Sequence, residues 1–258
     1  MPVRGYLVCG GWWHDFDYAR LEILKLLHAD DEVRVKVAQD YEDVATLTAA
    51  DFLVTYTCNV RPSPPAQEAL QAWVEGGGRW FALHGTNSAI DPPPALGQGS
   101  FETPRVFPTF AEVLGSQFLA HPAVEPYRVT VSPGAEADPM VAGIGPFNAN
   151  DELYLSELHG ELDILLETRW TGDTGPGFAE HEWPNDDPRP VLYRRSLGDG
   201  CVLYLTLGHC RGHHDMDAPP FNGMWWPHIE RGSWDVPEYR TLLHRGLSWA
   251  AGRAVDER

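Results

Sequence analysis

Histidine is both the usual acid–base group near neutral pH and the commonest metal ligand. Three histidines of this chain share one local setting, after a short apolar run and within a few residues of a glycine. Gly10-Gly11-Trp12-Trp13-His14-Asp15 follows the run Val3–Cys9. His84-Gly85-Thr86-Asn87 closes the run RWFALH, and Gly208-His209 closes VLYLTLGH. Glycine lets the backbone turn tightly where such a run ends. A further histidine, His121, lies in FLAHP, and Asp151-Glu152 places two carboxylates side by side. Neighbours in an extended segment face opposite ways, so one of the pair points into a common site, and Glu152 is the preferred one. A histidine beside a carboxylate is a natural acid–base pair.

The same side chains suit a metal. His209, His213, His214 and Asp215 form an HxxxHHD cluster, and imidazole with carboxylate suits zinc and similar ions. A set drawn from His14, His84, His121 and His209 would serve as well. A divalent metal and a metal-free site both remain open on residue type alone. Trp12-Trp13 and Trp225-Trp226 offer flat apolar faces with a polar N–H, which suits sugar rings. Trp12, Trp13, His14, Asp15, Thr86, Asn87 and Trp225 are therefore candidate substrate contacts. The loop Pro219–Trp234 is long enough to form a lid or an interface. No GxSxG elbow, P-loop or GxGxxG follows any strand, which argues against serine hydrolysis and nucleotide-dependent transfer.

These residues need elements to hold them. Val3–Cys9, Val33–Ala38, Asp51–Thr57 and Arg79–His84 read as strands, with helices over Phe16–His28 and Ala66–Glu75 between them. That rhythm predicts an α/β fold with a mainly parallel sheet covered on both faces. Asp91–Phe107 reads as a long loop, Thr109–Leu114 as a short helix and Pro237–Ala251 as a final helix. Tyr127–Val131, Leu162–Thr168, Val191–Arg195 and Val202–Thr206 read as further strands, the last two joined by the turn signal Gly198–Gly200. With no repeat and no low-complexity linker, residues 1–258 are expected to form a single domain. In an open parallel sheet, ligands bind beyond the carboxyl ends of the strands, where the three histidines fall.

Bulk composition narrows the partners. The net charge of −18 is concentrated: Gly134–Asp187 holds thirteen acids and one base, Arg169. Such a surface repels phosphate backbones and anionic membranes, so neither nucleic acid nor membrane is an expected partner. The four cysteines, Cys9, Cys58, Cys201 and Cys210, lack CxxC spacing and read as reduced. That suits a cytoplasmic protein. The first residues have too short an apolar run for a signal peptide, and no segment reaches the ~20 apolar residues of a membrane span. The final helix could support a homodimer.

Several stretches, in order, resemble the ThuA-like (trehalose utilisation) family: GGWWHD, VEGGGRWFALHG, VLGSQFLAHP, NDELY, LYRRSLGDGCVLYLTLGH and LLHRGLSWAAG. The resemblance implies a flavodoxin-like three-layer sandwich related to class I glutamine amidotransferases. In those enzymes the nucleophilic cysteine occupies the turn after a central strand. Here that turn carries His84-Gly85-Thr86, and no cysteine lies between Cys58 and Cys201, so amidotransferase chemistry is not expected. The family context implies a small carbohydrate substrate such as a keto-glycoside. His84 and Glu152 would be the acid–base pair, with His121 and His209 binding or polarising the carbonyl. A metal-dependent hydrolase and a non-catalytic sugar-binding protein are the alternatives. The stretches Asp91–Arg105 and Cys210–Trp234 look extended relative to the family, and both flank the expected site.

Overall fold

The computed structural model describes residues 2–255. Strand β1 (Val3–Gly11) leads through helix α1 (Phe16–His28) to β2 (Val33–Ala38). A short α2 (Val44–Thr48) precedes β3 (Phe52–Cys58), and α3 (Pro64–Glu75) precedes β4 (Arg79–Leu83). After β4 the chain makes a tight 3-10 turn, His84–Asn87, a long loop, and α4 (Pro108–Leu114). Then come β5 (Ser116–Ala120), β6 (Glu125–Val131), β7 (Phe147–Asp151), β8 (Leu155–Leu158) and β9 (Asp163–Arg169). A small ribbon, β10 (Gly172–Asp173) and β11 (Glu182–Trp183), is followed by β12 (Pro188–Leu197), β13 (Gly200–Leu205) and α5 (Pro237–Ala250).

Nine strands form one sheet in the order β2-β1-β3-β4-β13-β12-β9-β6-β7. From β2 to β13 every pairing is parallel. From β13 to β7 every pairing is antiparallel. The protein is thus α/β with a large mixed sheet. The antiparallel extension lies outside what the alternating strand–helix rhythm suggests, because hairpin-joined strands need no crossover helix. The β12–β13 hairpin does turn at residues 197–200, where the glycine signal lies.

Alternation along each parallel strand divides the core in two. Leu7, Cys9, Val54, Tyr56, Phe81, Leu83, Leu203 and Leu205 pack with α1 and α5 on one face. Tyr6, Val8, Leu53, Trp80, Ala82, Val202 and Tyr204 pack with α3 and α4 on the other. Both faces are covered, so these strands are apolar almost throughout. Helix α1 buries Ala19, Ile23 and Leu27, one turn apart, and Asp15 caps it by accepting from the Tyr18 N–H at 3.0 Å. The four cysteines are free, and no helix among the described residues is long and apolar enough to cross a membrane.

The parallel half brings the carboxyl ends of β1, β3, β4 and β13 to one edge. Gly11 lies opposite Cys58, and Leu83 lies opposite both Tyr56 and Leu205. The turn after β1 requires glycine. Gly11 has φ +125°, and an added Cβ would stand 1.9 Å from the Cys58 carbonyl oxygen. Gly11→Ala is therefore expected to destabilise the protein by well over ~1 kcal/mol, read as a lowered midpoint in urea unfolding. An unchanged midpoint would contradict this account of the turn.

Candidate active site

Each parallel strand of the edge delivers one side chain. β1 ends in the turn that carries His14, β3 ends at Cys58, β4 runs into His84, and β13 runs on to His209. His84 adopts φ +46°, a conformation that costs a non-glycine residue ~1–3 kcal/mol and persists only where neighbours enforce it. The enforcement is visible. The Tyr204 hydroxyl donates to the His84 carbonyl, and Gly85 lies so close to the Thr57 carbonyl that a Cβ would stand at 2.6 Å.

The carboxylate pair after β7 divides its work. Asp151 is fully buried and accepts backbone N–H bonds from Gly208 at 2.9 Å, His209 at 3.1 Å, Ser233 at 3.2 Å and Glu152 at 2.9 Å. It holds the β13 turn in place. Glu152 instead turns to the histidines. Its Oε2 lies 3.4 Å from His84 Nε2 and 3.8 Å from His14 Nε2. Its Oε1 lies 3.1 Å from His209 Nδ1, 3.7 Å from His121 Nε2 and 3.8 Å from Arg211 Nη2.

The outer ring nitrogens are anchored. His14 Nδ1 lies 3.0 Å from the Trp12 carbonyl, His84 Nδ1 3.0 Å from that of Thr206, and His121 Nδ1 2.7 Å from that of Pro122. Carbonyls only accept, so each Nδ1 carries the hydrogen. In the neutral ring Nε2 then holds a lone pair aimed at the site. His209 is reversed. Its Nε2 bonds Glu230 Oε2 at 2.7 Å, which leaves Nδ1 inward.

Burial pushes His14 down to about 3, against the pull of Glu152, so it stays neutral. For His209 burial also pushes down, but Glu152 and Glu230 outweigh it and raise the ring to about 9. Burial alone would raise Glu152, yet His209, His121 and His14 hold it well below the usual carboxylate range. Glu230 is lowered in the same way, with His209, Trp226 and Arg211 outweighing its burial.

Above this floor lies a cavity of about 380 Å³. His14, His121, Glu152, Tyr154, Arg211 and Glu230 form its polar part, and Trp13, Phe101, Phe118, Phe178, Phe221 and Trp226 its aromatic walls. A larger groove of about 530 Å³ between α1 and α5 gathers no such cluster. Cys58 also lines the cavity, but burial, reinforced by Glu152, pushes its thiol far up and keeps it protonated. A protonated thiol is a poor nucleophile.

His14, His84, His121, Glu152 and His209 thus come together, with Trp13 on the wall. His84 and His209 stand behind the cavity lining rather than on it. Asp15 caps α1 and pairs with Arg231 at 3.0 Å. Thr86 donates to the Leu83 carbonyl at 2.7 Å, and Asn87 donates to Ser116 Oγ at 2.9 Å, both buried beneath the turn. Trp12 packs on the edge of Trp13. Trp225 is 58% exposed and stacks on His213, whose Nδ1 bonds the Trp226 carbonyl, while His214 is exposed. The HxxxHHD segment therefore contributes His209 alone to the centre. Residue type alone did not single out Arg211, Tyr154 or Glu230. Arg211 lies two residues after His209 and stacks on Trp226 at 5.0 Å. Tyr154 stands in the quoted NDELY stretch, and Glu230 had no local signal at all.

The fold and site define an α/β protein with a buried imidazole–carboxylate centre beneath an aromatic cavity. Residues 6–226 match the ThuA family, described as trehalose utilisation, and the chain belongs to that family, which has a role in carbohydrate metabolism. No curated protein matches the chain. Among solved structures it is similar to a ThuA-like protein from Parabacteroides merdae ATCC 43184, with TM-score 0.59 and 16% identity over 100% of this chain and 93% of that one. A ThuA-like protein from Bacteroides uniformis ATCC 8492 gives TM-score 0.60 and 15% identity over 98% and 95%. A cytoplasmic protein from Salmonella typhimurium LT2 gives TM-score 0.50 and 11% identity over 96% and 99%. At these identities the likeness concerns the fold.

Asp151→Ala strands several buried N–H groups, each costing ~1–3 kcal/mol when unmet. It is expected to destabilise the protein by at least ~3 kcal/mol in urea unfolding, whereas His214→Ala stays within ~0.5 kcal/mol. Equal effects would contradict the structural role given to Asp151.

Proposed function

We propose that the protein is an enzyme acting on a keto-glycoside or related sugar derivative by acid–base chemistry at the Glu152 centre. The parallel strands, in the order 2-1-3-4 followed by β13, read as the flavodoxin-like order, whose ligands bind at this edge. One observation carries the reading. Glu152, His121 and Arg211 face a single cavity whose walls are aromatic. Aromatic faces suit the C–H side of a sugar ring, and a few convergent polar groups orient it.

A keto group at C3 acidifies the C2–H bond. His121 is the ring best placed to take that proton: its side chain is 22% exposed, and Nε2 faces both the cavity and Glu152. The electron pair moves into an enolate, and the Arg211 guanidinium beside Glu152 stabilises the developing oxyanion. Expulsion of the glycosidic oxygen from C1 follows, with a proton returned to it, and water then adds to C1 of the resulting enone. His84 and His209, which do not line the cavity, hold Glu152 and the turn geometry.

Purified His121→Ala and Glu152→Gln proteins, checked for native circular dichroism, are expected to lose ~10²–10⁴ in kcat/KM on 3-keto-disaccharides. Wild-type protein that binds such sugars without converting them, or a Glu152→Gln protein with full activity, would overturn this function.

A further inference from the structure

Four buried side chains, His14, His84, His209 and Glu152, converge beneath the cavity. His14 and His84 face each other through Nε2 at 2.9 Å. Both Nδ1 atoms are committed to backbone carbonyls, so in the neutral rings two lone pairs point at one another. Such a contact is repulsive unless a cation or proton lies at it. His209 Nδ1 is buried, and the polar atom it faces is Glu152 Oε1 at 3.1 Å. All three inward ring nitrogens thus converge on the same carboxylate.

We propose that His14, His84, His209 and Glu152 bind one divalent cation of the zinc type. One ligand atom from each lies within 4.8 Å of all the others. A tetrahedral ion with bonds of ~2.0–2.2 Å sets its ligands ~3.4 Å apart, so small side-chain rotations suffice. The donor set, three imidazoles and one carboxylate, suits zinc and its neighbours rather than calcium or magnesium. The outer partners are those a metal site requires. Each ligating ring donates its other N–H to a carbonyl or carboxylate, which fixes the tautomer and raises ligand basicity. For His209 that partner is Glu230, itself held by Trp226 Nε1 at 2.9 Å and Arg211 at 3.1 Å. His14 and Glu152 also line the cavity, so a bound ion would face the keto oxygen of the proposed substrate and polarise it as a Lewis acid.

This inference shares the site of the proposed function, but metal binding is measured without substrate. Untagged full-length protein is stripped with chelator, the chelator is removed, and Zn²⁺ is titrated calorimetrically, with Mn²⁺ as a second probe. One equivalent should bind, with a rise in melting temperature. His84→Gln and His209→Gln should each weaken binding at least ~100-fold, and Glu230→Gln ~10–100-fold. His214→Ala should bind as the wild type does. If His84→Gln fails to fold, His14→Gln replaces it. Absence of stoichiometric binding by either ion, or wild-type affinity in both ligand variants, overturns the proposal. A protein that binds metal but leaves keto-glycosides untouched overturns the proposed function alone. A protein that converts them but binds neither ion overturns this inference alone.

Discussion

A carboxylate taken out of water must be matched, because an unpaired buried charge is far costlier than any single packing contact. Glu152 is such a group, 6% exposed at the meeting point of strands that come from distant parts of the sequence. The site depends on how it is matched. Histidines from the ends of β1, β4 and β13, a fourth after β5, and Arg211 all turn toward it. None of them is near another in sequence except His209 and Arg211. The parallel sheet makes this possible by setting the ends of its strands at one edge, and the backbone strain at His84 is the local cost of aiming one ring inward.

Asp151 and Glu152 show how adjacent identical chemistry is put to different uses. Asp151 spends its oxygens on backbone N–H groups of Gly208, His209 and Ser233. That ties the β13 turn and the segment before α5 to the end of β7, and so places His209 and Glu230. Glu152 makes no such backbone bonds and remains open to the rings and to the cavity. Scaffold and reactive group are consecutive residues, one serving the geometry of the other.

The parallel half of the fold was legible because its strands are apolar runs cut by glycine and its helices carry spaced apolar residues. Phe16–His28 and Val33–Ala38 match the observed elements residue for residue. β7 was not legible: it buries Phe147, Ala149 and Asp151, and a carboxylate in the buried set hides the alternation. β5, SQFLA, is buried throughout and opens with polar residues after Gly115, so no period marks it as a strand. The histidines after β1, β4 and β13 were legible from the rule about strand ends. Glu230 was not, because it arrives from a loop whose path is set by contacts with Arg211 and Trp226. Thr86 and Asn87, beside His84 in sequence, bond beneath the turn to Leu83, Thr55 and Ser116.

The central claim is that the rings of His14, His84 and His121 are locked with Nδ1 outward on carbonyls and Nε2 turned toward Glu152. Ring-nitrogen NMR of ¹⁵N-labelled protein at neutral pH, assigned with single His→Gln variants, tests it most directly. The account predicts a protonated Nδ1 in all three rings. A bare Nδ1 with the hydrogen on Nε2 at His14 or His84 would contradict it.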